Sequence, residues 1–178
     1  MEATYVSSDD SELLRKSLIG YSGENCLEIG LGYGANLLEL SRNFEISVGT
    51  DVRKTDGFAR LRGKERVSAI LSDTASCFRS ESFDLVVLNP PYLPCERIED
   101  VAIDGGKNGF EVTARFLEEA ERVLRPRGKI LLLFSSEESL DEFLTFCKDR
   151  NLVYSRIMSK SLFFEELTVF EIRKLFHE

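Results

Sequence analysis

Short apolar runs alternate with stretches of helical spacing through most of this chain. The runs are Asn25 to Ile29, Ile46 to Thr50, Val67 to Leu71, Phe83 to Leu88 and Lys129 to Phe134. Between them, residues 35 to 42, Thr55 to Leu61 and Phe110 to Leu124 suit helices. In the last of these, Val112, Phe116, Leu117, Ala120, Val123 and Leu124 recur on one helical face before Pro126-Arg127-Gly128 ends it. Strands joined by helices pair in parallel, because a parallel connection needs a crossover. The tail differs. Leu140 to Arg150 reads as a helix, but Leu152 to Met158 and Leu167 to Ile172 have no helix-length segment between them, so they should form an antiparallel hairpin. The expectation is an α/β fold: a seven-stranded sheet of five parallel strands plus a C-terminal antiparallel hairpin. At the front, Asp9-Asp10-Ser11 offers a cap for a helix to about Ile19.

At 178 residues one domain spanning 1–178 is the default, and it carries no run of about 18 apolar residues that would span a membrane. No basic, apolar leader opens the sequence. Cys26, Cys77, Cys95 and Cys147 are scattered without a CxxC pair and the single His177 is beside the C-terminus, which predicts free thiols in a cytoplasmic protein and no metal site. Acidic residues number 31 against 23 basic, a net charge of −8, which makes nucleic acid an unfavoured partner.

Between the first strand and its helix lies Glu28-Ile29-Gly30-Leu31-Gly32-Tyr33-Gly34-Ala35. Glycines there permit positive φ and close approach of a ligand to the main chain. Gly30, Gly32 and Ala35 fit the dinucleotide pattern, with Asp51 about 20 residues on to receive ribose hydroxyls. A nicotinamide dehydrogenase, or simply a tight turn with Asp51 as a helix cap, therefore remains open on this half alone. Asp73, with Thr74 after it, follows the third strand and could accept from an adenine amino group or cap the next helix.

The fourth strand runs into Asn89-Pro90-Pro91-Tyr92. Each proline fixes its own φ and biases the residue before it toward extended backbone, so the segment is stiff. The Asn89 side-chain carbonyl and the Pro90 main-chain carbonyl are two acceptors matching the two protons of a planar NH₂ group, and Tyr92 supplies a flat wall. An amide nitrogen is a poor nucleophile, so it gains from orientation against a reactive electrophile. A sulfonium methyl donor suits a chain with no metal cluster and no histidine-activated nucleophile. Asn-Pro can also be an ordinary turn exit. The loop from Pro90 to about Asn108 shows no element of its own and is long enough to be functional. Phe163-Phe164 and Glu165-Glu166, between the last two strands, could form a substrate lip, although phenylalanines more often belong to a core.

Together, Glu28 to Gly34, Asp51, Asp73-Thr74 and Asn89-Pro90-Pro91-Tyr92 resemble the motifs of S-adenosylmethionine-dependent amino-methyltransferases with a seven-stranded, Rossmann-like methyltransferase sheet. Within these, the chain is most similar to the HemK-like glutamine methyltransferases of class I translation release factors. Tyr5 to Leu14 resembles that family's opening, with Ser7 in place of proline and Asp9 in place of glutamate, and Asp104-Gly105-Gly106-Lys107-Asn108-Gly109 resembles its Gly-Gly-x-Asn-Gly stretch. The resemblance implies S-adenosyl-L-methionine as cofactor, held by Ser11, Glu28, Gly30, Gly32, Asp51, Asp73, Thr74 and Asn89. It implies a release-factor glutamine as acceptor, held by Asn89, Pro90, Pro91 and Tyr92, of which Asn89, Pro90 and Tyr92 carry the chemistry. A segment at about 1–22 would close over the cofactor. A glycine loop reached by residue 30 is similar to the compact archaeal and eukaryotic branch, which implies a small zinc-binding activator protein (Trm-type) as heterodimer partner, docked on Val67 to Leu71. The rival readings are methylation of adenine in DNA or RNA, and a non-catalytic scaffold.

Overall fold

The computed structural model describes residues 9–97, 99–100 and 103–175. Tyr5 to Ser8 of the opening and His177 lie outside the described residues. Helix α1 (Asp9–Ser17) leads into strand β1 (Gly23–Ile29), followed by α2 (Ala35–Leu40), β2 (Phe44–Asp51), α3 (Asp56–Leu61), β3 (Val67–Leu71) and β4 (Phe83–Leu88). After a long loop come α4 (Glu111–Val123), β7 (Leu124–Ser135), α5 (Leu140–Asp149), β8 (Leu152–Ser161) and β9 (Glu166–Lys174), the short strands β5 (Leu93–Pro94) and β6 (Asp104–Gly106) lying within the loop. The main sheet has seven strands in the order β3-β2-β1-β4-β7-β9-β8. β3, β2, β1, β4 and β7 are parallel, and β9 pairs antiparallel with both β7 and β8. The fold class expected from the alternation is therefore the one observed.

Two apolar layers explain why the central strands read as unbroken hydrophobic runs. Leu27, Ile29, Val86, Leu88, Ile130 and Leu132 face α4 and α5, where Leu117 and Phe143 are fully buried. Cys26, Leu85, Val87, Leu131 and Leu133 face the other way, toward α1, α2 and α3. A strand covered on both faces shows no polar alternation.

Three local expectations are corrected. Asp9 and Asp10 lie inside α1 rather than before it, in the first turn where carboxylates favour the helix dipole. Pro126-Arg127-Gly128 does not separate helix from strand. β7 begins at Leu124, and the tripeptide forms a bulge in it, with register shifting between Phe83↔Leu124 and Leu85↔Lys129. Arg125 secures the bulge by donating to Asp84 Oδ1 at 2.8 Å and Glu24 Oε2 at 2.9 Å, while Asp84 Oδ2 accepts from the Glu24 and Asn25 N–H groups. The loop after Asn89 has an element of its own: β5 pairs in parallel with β6, through Leu93 N–H to Ile103 O at 3.0 Å and Cys95 N–H to Gly106 O at 2.8 Å.

Candidate active site

Strands β1, β2 and β4 end at the same edge of the sheet, and the segments leaving them enclose a cavity of about 500 Å³. That is the size range of small-molecule and cofactor sites. Ser11, Glu28, Gly30, Gly32, Asp51, Asp73, Thr74, Asn89 and Pro91 all line it, so residues spread over 80 positions of sequence converge as their motifs suggest. Pro90 and Tyr92 do not line it. Pro90 is buried, and Tyr92 is half-buried against the core beneath α1, where burial pushes its phenol well above the usual tyrosine range.

The glycine loop is built by three positive φ angles, 84° at Gly30, 49° at Gly32 and 75° at Gly34, which a side chain would strain. Four of its N–H groups are already used: Gly30 and Leu31 donate to Thr50 O at 2.9 and 2.8 Å, Gly32 to Asp51 Oδ2 at 3.1 Å, and Gly34 to Leu31 O at 2.8 Å. A pyrophosphate cradle requires such groups to face the ligand. These four engaged groups lend the dehydrogenase reading no support. Asp51 also accepts from Arg53 N–H at 3.1 Å, and it does not cap α3, whose N-cap is Thr55.

The floor of the cavity is acidic and unsatisfied. Glu28 is buried, and desolvation pushes its carboxyl up to about 8, against the pull of the Asn36 side chain and the Leu37 N–H. Asn36 donates to Glu28 Oε1 at 2.9 Å, yet Glu28 Oε2 and Asn36 Oδ1 have no partner, and neither do the hydroxyls of Thr50 and Thr55. All four of these residues line the cavity. Buried polar atoms normally find partners, so this cluster marks the place of a polar ligand, and a set of acceptors around a buried carboxyl favours positive charge.

At the rim, Asn89 Nδ2 donates to Asp10 Oδ2 at 3.3 Å, which leaves Oδ1 as its acceptor end. Asp73 is not followed by a helix, so it caps none. Its two oxygens accept from Arg115 Nη2 at 3.0 Å each. Thr74 lies at φ 50° with its hydroxyl donating to Asp73 O at 2.7 Å, a strained residue of the kind found at binding sites.

Sequence reasoning missed Asp10, Asn36 and Arg115. Asn36 carried a signal, being a polar residue in the first turn after the glycine loop, and Asp10 stood within the recognised opening; Arg115 acts across 42 positions and carried none. Phe163 and Phe164 are 90% and 87% exposed, which overturns their reading as core.

The Methyltransferase small domain model matches residues 9–156. A Methanocaldococcus jannaschii protein, assigned by name as a protein N5-glutamine methyltransferase, is 29% identical over 96% of this chain and 92% of its own length. Among solved structures, the Mtq2–Trm112 complex of E. cuniculi, described as methylating the eRF1 translation termination factor, superposes with a TM-score of 0.78 at 24% identity, covering 96% of this chain and 98% of that one. The N-methyltransferase NodS of Bradyrhizobium japonicum, solved with S-adenosyl-L-homocysteine, has a TM-score of 0.63 at 18% identity, covering 91% and 84%. The chain belongs to the Methyltransferase small domain family, and it is a methyltransferase.

Proposed function

We propose that this chain transfers a methyl group from S-adenosyl-L-methionine to the side-chain amide nitrogen of the glutamine in the Gly-Gly-Gln motif of a class I translation release factor, in the cytoplasm. One observation carries the reading: the Asp10–Asn89 hydrogen bond turns the oxygen of a proline-stiffened amide outward at the mouth of a cavity floored by a buried carboxyl. The names of the M. jannaschii relative and of the Mtq2–Trm112 complex point the same way.

The residues fit the cofactor. Glu28 and Asn36 supply acceptors for its cationic amino acid end, Asp51 a carboxylate for its ribose, and Asp73, held by Arg115, a carboxylate near its adenine. Val112 and Phe116 add an apolar wall. When bound, the cofactor supplies an electrophilic methyl group on a positively charged sulfur. Asn89 Oδ1 and the Pro90 carbonyl would then hold both hydrogens of the acceptor amide, aiming its nitrogen lone pair into the cavity. As the N–C bond formed and the S–CH₃ bond broke, leaving a neutral thioether, positive charge would develop on that nitrogen, and the two oxygens would stabilise it until its proton passed to solvent. Pro91 and Tyr92 keep the two acceptors in place and help to receive the flat amide. Helix α1, which brings Asp10 and Ser11 to the cavity, closes it from above in this single-domain reading.

A small zinc-binding activator completes the reading, docked on β3. This strand is an edge of the sheet, and Ile46, Val52 and Leu71 near it are 52%, 55% and 55% exposed. A purified chain that is monodisperse and fully active alone would refute that partner.

The decisive experiment offers labelled methyl donor with a release factor, its Gly-Gly-Gln→Ala variant, and nucleic acid as parallel acceptors. Transfer to the intact factor alone is expected. Asn89→Ala should abolish it while cofactor affinity, measured by calorimetry, is largely kept; equal loss of both would contradict the role of Asn89.

A further inference from the structure

The β8–β9 turn carries two adjacent phenylalanines with almost no apolar shelter. Their rings meet edge to face with centroids 4.6 Å apart, and no other aromatic among the described residues is so exposed. A contiguous aromatic pair in water marks a contact surface more often than a scattered single residue does.

Topology puts this pair at the catalytic end of the molecule. β8 and β7 are both antiparallel to β9, so they run in the same direction, and β8 ends at the sheet edge where β1 and β4 deliver the glycine loop and Asn89. The turn is fastened there. Glu166 N–H donates to Ser136 Oγ at 2.9 Å, Ser136 N–H returns to Glu166 O at 2.9 Å, and Ser135 Oγ donates to Glu165 Oε2 at 2.7 Å. Lys160 Nζ meets Asp9 at 2.6 Å, one residue from the carboxylate that orients Asn89. Leu162, at the base of the turn, and Tyr92 pack on the same core.

Three carboxylates act on Tyr92, those of Asp10, Glu165 and Glu137. Glu138 is buried and engaged by Thr113 and the Ser135 N–H, whereas Glu137 is exposed. A partner of the aromatic pair must approach through this negative field, and charge complementarity then selects a basic one.

We infer that Phe163 and Phe164, flanked by Glu137 and Glu165, form a lip that grips the acceptor polypeptide beside the modified glutamine, through apolar and basic side chains of that segment. This rests on the proposed glutamine acceptor. Turnover is measured on a purified class I release factor, with the chain bound to its small partner. Phe163→Ala with Phe164→Ala should raise KM for the release factor at least about tenfold, the effect of losing an aromatic anchor. S-adenosyl-L-homocysteine binding and melting temperature should stay as in wild type. Glu137→Lys should raise KM as well and weaken its dependence on ionic strength.

An unchanged KM in the double variant overturns the lip. So does a double variant that no longer binds the small partner, or one that converts an oligomer to a monomer, since the aromatic pair would then belong to those contacts. A wild-type chain that transfers nothing to the release factor refutes the glutamine acceptor itself and the lip with it, and that wild-type result distinguishes the two failures.

Discussion

Two carboxyl groups set the chemistry of the cavity in opposite ways. Asp10 directs its charge at an amide: with Asn89 Nδ2 tied to it, the Asn89 oxygen, proposed to hold the acceptor amide, has one direction to face. Asp10→Ala frees that amide to rotate, and a misplaced acceptor should lower the single-turnover rate about a hundredfold. Asp10→Asn, which keeps an acceptor at the same place, should recover much of the rate. Glu28 is instead held back from ionising. Its carboxyl titrates near 4.5 when the chain is unfolded and at about 8 when folded, because burial disfavours the charge. The folded state therefore keeps a proton that the unfolded state has lost, and stability present below pH 4.5 drains away as pH rises through 8. Glu138, also buried and also raised to about 8, acts in the same direction. Melting temperatures of the ligand-free protein should fall between about pH 5 and 8, and Glu28→Gln should flatten part of the fall while weakening cofactor binding. A pH profile identical to wild type would contradict this.

Among the elements, β3 and β4 have the residue ranges that their apolar runs prescribe. β7 was misread because proline and glycine ordinarily stop a segment, whereas here they shape a bulge against β4. Gly128 shows why: a Cβ there would meet Leu124 Cδ1 at 2.7 Å and Asp84 O at 3.0 Å. Gly128→Ala should cost about 1–3 kcal/mol of overpacking, seen as a lower urea midpoint. β5 and β6 escaped notice for another reason. Their pairing rests on close backbone approach, with the Cβ positions of Gly105 and Gly109 falling 2.7 Å from Tyr92 Cα and 2.5 Å from Tyr92 O, and such proximity leaves no periodic trace. The sequence motifs showed which side chains the strand ends carry. They could not show that Arg115, on the polar side of α4, reaches Asp73, since that depends on how helix and sheet cross.

For the whole molecule, a ligand that satisfies the orphaned acceptors of the cavity should raise stability by mass action. S-adenosyl-L-homocysteine at 100 times its Kd should add about 2.7 kcal/mol, visible as a rise in melting temperature. Glu28→Gln should show a smaller rise at the same concentration. Helix α1 and the β8–β9 hairpin meet beside this cavity. α1 packs against β8 and β9, Lys160 reaches Asp9, and Tyr21 donates to Glu171 Oε2 at 2.6 Å. A chain emerging from the ribosome thus has its glycine loop and Asn89 long before it has the hairpin that seats α1. Until the hairpin arrives, α1 has α2 but not β8 and β9 to pack against and the tie from Lys160 to Asp9, beside Asp10, is missing, so the site should reach its working geometry only once β8 and β9 have formed.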